Sequence, residues 1–159
     1  MNRWIKIFAG AAAICAAGSA VGVGLNFDAV FKKAEAAEEK SGREAAAEKE
    51  FTMELNEAKA VFDSGTAVFV DARDPADYAA GHIRGAVNLP WEEFAAAFPD
   101  FSKKVPSTAP VITYCSGTDC EMSKNLGRKL RSMGYASVKV FAGGWPQWMK
   151  AGYPVEKKK

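Results

Sequence analysis

Two thiols stand close together in the stretch Tyr114-Cys115-Ser116-Gly117-Thr118-Asp119-Cys120-Glu121. A thiol is a nucleophile only as its thiolate, and positive potential stabilises that form near neutral pH. The first turn of a helix supplies such potential through backbone N–H groups that lack intrahelical partners. The residues around Cys115 predict this setting. Val111 to Tyr114 is an apolar, β-favouring run after Pro110 and reads as a buried strand. Met122, Leu126, Leu130 and Met133 recur at helical spacing, with Lys124, Arg128, Lys129 and Arg131 on the other face. A parallel strand that feeds a helix leaves its carboxyl end at the mouth of the sheet, where open α/β sheets bind ligands. The N–H groups of the connecting loop and first helical turn point back at that place and stabilise an anion there. Cys115 is the candidate nucleophile. The competing reading is a buried, inert cysteine at a strand end.

The elements that must position this loop follow in chain order. Leu55, Ala58, Val61 and Phe62 make a short amphipathic helix ended by Ser64-Gly65. Residues 67–70 form a buried strand that runs into Asp71-Ala72-Arg73. Asp74 before Pro75 marks a helix start, with proline at the first helical position; that helix stops at Gly81. His82 to Pro90 is a turn plus a short strand. Residues 91–98 are amphipathic and are expected to stop at Pro99, with a loop over residues 101–109. Gly134 caps the helix after the cysteine loop. Residues 137–141 make the last strand, and a short helix follows Ala142-Gly143-Gly144, ended by Gly152. Strands that alternate with helices predict a mostly parallel sheet in an α/β domain.

Charge and composition narrow the function classes. The 159 residues are 48% hydrophobic and 25% charged with a net charge of +2, so neither disorder nor a nucleic-acid partner is indicated. Three cysteines and one histidine, without metal-type spacing, argue against a zinc site and against a disulfide scaffold. Nothing points to a cofactor. Arg3 and Lys6 precede residues 7–25, which carry no charge. That length is about enough for a hydrocarbon core of about 30 Å. Residues 1–26 are expected to be a signal-anchor or transmembrane helix or a signal segment. A small-residue cleavage site, Ala34-Glu35-Ala36, lies far beyond the apolar run and so favours the anchor. Cys15 is then a small residue within the membrane. The basic start favours a cytoplasmic N-terminus, an inner-membrane anchor and a domain on the periplasmic side, or secretion after cleavage. Residues 27–50 read as a charged helical linker, 51–156 as the domain and 157–159 as a basic tail.

Two further stretches carry a family resemblance. Val70-Asp-Ala-Arg-Asp-Pro-Ala-Asp-Tyr-Ala-Ala-Gly-His-Ile-Arg-Gly-Ala-Val-Asn-Leu-Pro90 and Gly143-Gly-Trp-Pro-Gln-Trp-Met-Lys-Ala-Gly-Tyr-Pro154 resemble the two signatures of the rhodanese homology domain, with Tyr114-Cys115 between them. The resemblance implies a five-stranded, mostly parallel sheet flanked by helices, here preceded by the N-terminal hydrophobic helix. It implies a sulfurtransferase in which Cys115 takes the outer sulfur of a sulfane-sulfur donor as a persulfide and yields it to a thiol acceptor. Asp71 and Arg73 would support the loop. The backbone N–H groups of Ser116, Gly117, Thr118, Asp119, Cys120 and Glu121 would cradle the persulfide. Gly143, Gly144 and Trp145 would be structural, and His82 and Arg84 match a turn whose histidine reads as a satisfied structural residue.

The loop departs from the family pattern. It is longer by a residue or two, since Ser123 occupies the helix-start serine position, and it holds Asp119 and Glu121 with no base before Lys124. Carboxylates within about 4–6 Å disfavour a thiolate and repel an anionic donor. Weak use of thiosulfate is therefore expected, with a persulfide or protein-borne sulfur as the better donor. Related folds with phosphatase or arsenate reductase activity carry Cys-x-x-x-x-x-Arg; here Glu121 stands in place of the arginine that clamps an oxyanion. Cys120 has two readings: a resolving thiol that closes a reversible disulfide with Cys115, or a helix-start cysteine that packs inward. A thiol redox protein that uses this pair and a non-catalytic binding module are the alternatives to the sulfurtransferase.

Overall fold

The structure, a computed structural model, describes residues 27–117 and 120–157. The chain divides into two units, residues 1–41 and 42–159. Helix α1 (Phe27–Phe51) runs through the Ala/Glu/Lys-rich stretch, and its side chains from Lys32 to Ser41 are exposed. Among the described residues no helix is long and apolar enough to cross a membrane. The uncharged run 7–25, expected as the hydrophobic helix, lies outside the described residues.

The second unit alternates strands and helices: β1 (Thr52–Met53), α2 (Leu55–Ser64), β2 (Val68–Asp71), α3 (Pro75–Ala80), β3 (His82–Ile83), β4 (Val87–Asn88), α4 (Phe94–Lys104), β5 (Val111–Tyr114), α5 (Glu121–Ser132), β6 (Val138–Phe141), α6 (Gly144–Lys150) and β7 (Val155–Glu156). The main sheet has the order β1-β6-β5-β2-β4, with every pair parallel. From β2 the chain moves outward to β4, then returns to the other side of β2 for β5. The strand order therefore reverses between β2 and β5, and the crevice beyond their carboxyl ends is the ligand-binding position of such sheets.

Side-chain alternation along the strands builds a core on both faces. Val70, Val111, Val138 and Val140 pack with Leu126 and Leu130 of α5 and with Phe101 of α4. Phe69, Ile112 and Phe141 point the other way, against Ala58 of α2 and Trp148 of α6. Trp148 is fully buried, and its indole N–H donates to Pro154 O at 2.9 Å, so burying the ring leaves no polar atom unpaired. Asp74 caps α3 as its sequence predicts, accepting from the N–H groups of Ala76 and Asp77 at 2.9 Å each.

Three features differ from the sequence expectation. Residues 91–98 do not form a helix that stops at Pro99, and residues 101–109 are not all loop: α4 begins at Phe94 and continues through Pro99 to Lys104. Phe94, Phe98 and Phe101 form a continuous aromatic row with Tyr135, and burial of this row outweighs the one backbone hydrogen bond that Pro99 removes. Thr52–Met53 is an edge strand beside β6, too short to show periodicity. The third feature is a separate antiparallel pair, β3 with β7.

That small pair is held by side chains. Glu156 accepts from the Gly85 N–H and from His82 Nε2, both at 2.9 Å, while His82 Nδ1 lies 2.7 Å from Tyr78 O. His82 is buried and satisfied, in its structural reading. The Gly85 N–H bond, then the His82 bond, hold the Glu156 carboxyl below its ordinary value of 4.5. A depressed carboxyl pKa adds stability above the unfolded pKa and loses it as pH falls through the folded one. Glu156→Ala should therefore lower stability at pH 7 by about 1 kcal/mol or less, given its exposure. The gap from wild type should narrow below about pH 4.5. Denaturant melts across pH check this; a gap independent of pH would remove the carboxylate from the account.

Candidate active site

The site starts from the pairing of β2 with β5, which sets Asp71 beside Tyr114. Asp71 is fully buried and Arg73 is 4% exposed. One Asp71 oxygen accepts from the Arg73 N–H and Nε at 3.0 Å each, and the other lies 2.6 Å from Nη2. The same Nη2 donates to Gly81 O at 2.8 Å. Burial works against the Arg73 charge, but the Asp71 hydrogen bond and charge more than offset it and hold the guanidinium above its ordinary value. Burial and the Asp71 charge push the Tyr114 phenol well above its own. Its oxygen accepts from the Ile83 N–H at 3.2 Å. Asn88 donates from its side chain to Asp71 O and Arg73 O at 3.1 and 2.9 Å. Asp71 and Arg73, which the resemblance implied as loop support, are paired with each other at the end of β2, and Arg73 reaches on to Gly81.

The guanidinium continues upward as a stack, 5.0 Å from the Trp145 ring centre. The Trp145 N–H donates to Cys115 O at 2.8 Å. Gly144, at φ 56°, leaves room for this contact, since a Cβ there would lie 2.3 Å from Cys115 O. The second signature motif therefore clamps the carbonyl of the candidate nucleophile itself. Sequence reasoning assigned Gly144 and Trp145 a structural role without locating it; a paired glycine before tryptophan was the only local signal.

Cys115 is 1% exposed at the end of β5. It is disulfide-bonded to Cys120, with a Cα–Cα distance of 6.4 Å. Cys120 is half-buried and precedes α5, whose first turn aims at the pair. The Ser123 hydroxyl in that turn lies 3.1 Å from Cys115 Sγ, close enough to donate to sulfur. Ser116 is exposed and Gly117 half-buried; Thr118 and Asp119 lie outside the described residues. Glu121 is exposed and turns along its own helix to Lys124, 3.2 Å away, and Arg128, 3.8 Å away. Its charge is thus compensated more than the sequence pattern suggested. An open pocket of about 800 Å³ lies over the loop, lined among others by Trp91, Glu92, Cys120, Met122, Asn125 and Gln147. Glu92, Asn125 and Gln147 carry no local signal that would single them out. Among the described residues no acidic, His or Cys cluster could hold a metal.

The rhodanese-like domain family matches residues 54–151. A thiosulfate sulfurtransferase GlpE of Pseudomonas entomophila is 36% identical over 90 residues, which cover 57% of this chain and 76% of that protein. An HTH-type transcriptional regulator of Mycobacterium tuberculosis is 34% identical over 94 residues, 59% of this chain, and this chain spans only 39% of its length. A solved structure of a human single-domain sulfurtransferase aligns with a TM-score of 0.56 at 25% identity, over 63% of this chain and 96% of that one. The chain belongs to the rhodanese-like domain family.

The clamp on Cys115 is open to a direct test. Gly144→Ala must displace the loop carbonyl and also strain a left-handed backbone position. It should cost about 1–3 kcal/mol of stability and reduce sulfur uptake at Cys115 at least tenfold at a temperature where the variant is folded. Uptake equal to wild type in a folded variant would show that the loop does not need this contact.

Proposed function

We propose that the chain is a rhodanese-type sulfurtransferase that moves a sulfane sulfur from a donor to a thiol acceptor through a persulfide on Cys115. The observation that carries this reading is the position of Cys115. It ends β5 at the reversal of strand order, faces the first turn of α5, and has its carbonyl clamped by Trp145. The names of the relatives, thiosulfate sulfurtransferase GlpE among them, support the reaction class.

The chemistry begins from the reduced loop, in which a thiol reductant has opened the Cys115–Cys120 bond. The Cys115 thiolate then attacks the outer sulfur of the donor. A Cys–S bond forms, the bond from that sulfur to the rest of the donor breaks, and the leaving group departs with the electron pair. With thiosulfate the leaving group is sulfite; with a thiosulfonate it is a sulfinate. In this reading the new persulfide anion takes its hydrogen bonds from N–H groups at the start of α5, because it needs such donors in a site with little water. An acceptor thiolate next attacks the outer sulfur and returns Cys115 as thiolate. Ser123 can donate to the Cys115 sulfur at both stages. Neither stage calls for a cofactor.

Glu92 on the pocket favours a donor with little negative charge over dianionic thiosulfate. Residues 7–25 support the proposal that the domain is held at, or exported across, an inner membrane. A fusion of a periplasm-dependent reporter to the C-terminus should be active, and an inactive fusion would place the domain on the other side.

Sulfur transfer is tested by intact-mass analysis of the reduced full chain after incubation with a thiosulfonate, with Cys120→Ser introduced to hold the product. A gain of about 32 Da, the mass of one sulfur, should appear and should vanish when Cys115→Ser is added. Sulfur that remains in the double variant when Cys15→Ser is also present would remove Cys115 from the role. In steady state, Glu92→Gln should raise kcat/KM for thiosulfate about two- to fivefold, the scale of one partly screened surface charge.

A further inference from the structure

We infer that Cys120 is a resolving thiol that expels the sulfur held on Cys115 as hydrosulfide, so that a dithiol reductant is the partner that restarts the enzyme. The inference rests on the sulfurtransferase reading above and adds a product and a partner to it. Three observations carry it. First, Cys115 and Cys120 are joined, with their Cα atoms 6.4 Å apart, inside the 4.4–6.8 Å span that a disulfide needs. The loop thus places one sulfur on the other while β5 and α5 keep their full lengths. Second, the two thiols differ in access. Cys115 is buried, whereas Cys120 is half-buried and lines the pocket. A reductant that enters the pocket meets Cys120 first, and attack on the Cys120 sulfur forms a mixed disulfide there and releases Cys115 as the thiolate. Third, Cys120 precedes the first turn of α5, the place where a thiol is held as thiolate. The carboxylate next to it, Glu121, is paired with Lys124 and Arg128. The Cys120 N–H donates to Gly117 O at 3.1 Å, which closes the turn that brings the two sulfurs together.

The step balances. Cys115–S–SH and Cys120–S⁻ give Cys115–S–S–Cys120 and HS⁻. The Cys120 sulfur bonds to the inner, Cys115 sulfur. The bond between inner and outer sulfur breaks, and the outer sulfur leaves with the electron pair and its proton. The sulfane sulfur is reduced to sulfide, and the two cysteine sulfurs supply the electrons. A dithiol then opens the disulfide by two exchanges, becomes a disulfide itself and returns both cysteines reduced. A tethered thiol competes with free acceptors at an effective concentration of about millimolar or more. Acceptors well below that concentration lose to Cys120, and the sulfur leaves as hydrosulfide instead of passing to them.

A single-turnover experiment on the full chain tests this. The chain carries Cys15→Ser so that the loop pair holds its only cysteines. It is reduced, freed of reductant and mixed with a thiosulfonate, which contains no sulfide, in the absence of any other thiol. The expected result is one sulfide per chain and a mass about 2 Da below the reduced chain, that of a disulfide. With Cys120→Ser added, sulfide release should fall at least tenfold and the chain should retain one extra sulfur, about 32 Da. If the chain with both loop cysteines also keeps the extra sulfur and releases no sulfide, the resolving role is overturned while the sulfurtransferase reading stands. If neither chain takes up sulfur nor releases sulfide, both are overturned.

Discussion

The buried pair of Asp71 and Arg73 is the interaction on which the site depends. Two opposite charges are removed from water at the end of the strand next to the one that bears the cysteine. Such a pair gains little net stability over apolar residues, but loss of one partner leaves an uncompensated charge, at a cost of about 3–5 kcal/mol. What the pair provides is position. Asp71 fixes the turn after β2 through the Arg73 N–H, and Arg73 spans from there to Gly81 and under the Trp145 ring. Trp145 in turn binds the Cys115 carbonyl. Three segments far apart in the chain are thereby tied to one side of the loop, and the sulfur is left to face the helix on the other.

This arrangement separates the charge that builds the site from the charge that would act in it. Arg73 lies beside the Trp145 ring that clamps the loop, yet its Nε and Nη2 groups are committed to Asp71 and Gly81. Stabilisation of a sulfur anion would then fall to neutral donors, of which the Ser123 hydroxyl, 3.1 Å from Cys115 Sγ, is one. A neutral donor set can accept a persulfide and then let it go, because it does not bind the product by a net charge. The position that an oxyanion-clamping arginine would take is Glu121, paired along its own helix, which fits sulfur transfer and not phosphoryl chemistry.

The second cysteine gives the loop two covalent states on one backbone. In the bonded state the nucleophile is buried behind Cys120 and cannot react with a donor. The pocket over the loop, lined by Cys120 and not by Cys115, makes the partner thiol the point of entry for a reductant. Membership in the rhodanese-like domain family sets the reaction class; the joining of Cys120 to Cys115 is the feature of this chain that changes its outcome.

Much of this was legible in the chain alone. The apolar run before Cys115, the amphipathic pattern after it and the Asp74-Pro75 helix start specify local structure through strong, short-range preferences, and the structure follows each of them. The two signature stretches flank the cysteine along the chain. Where burial opposed a local preference, sequence failed: Pro99 reads as a stop, yet α4 runs through it because Phe94, Phe98 and Phe101 are worth more buried than one hydrogen bond is worth kept. The Thr52–Met53 edge strand and the β3–β7 pair were invisible because two-residue strands have no period and exist only through their partners. The Trp145–Cys115 clamp, the committed state of Arg73 and the joining of Cys115 to Cys120 likewise belong to tertiary structure alone. Residue type and spacing determined which groups could do chemistry; the sheet register and the close approach allowed by Gly144 decided which of them meet, because contacts between distant segments depend on packing and leave no trace in local sequence.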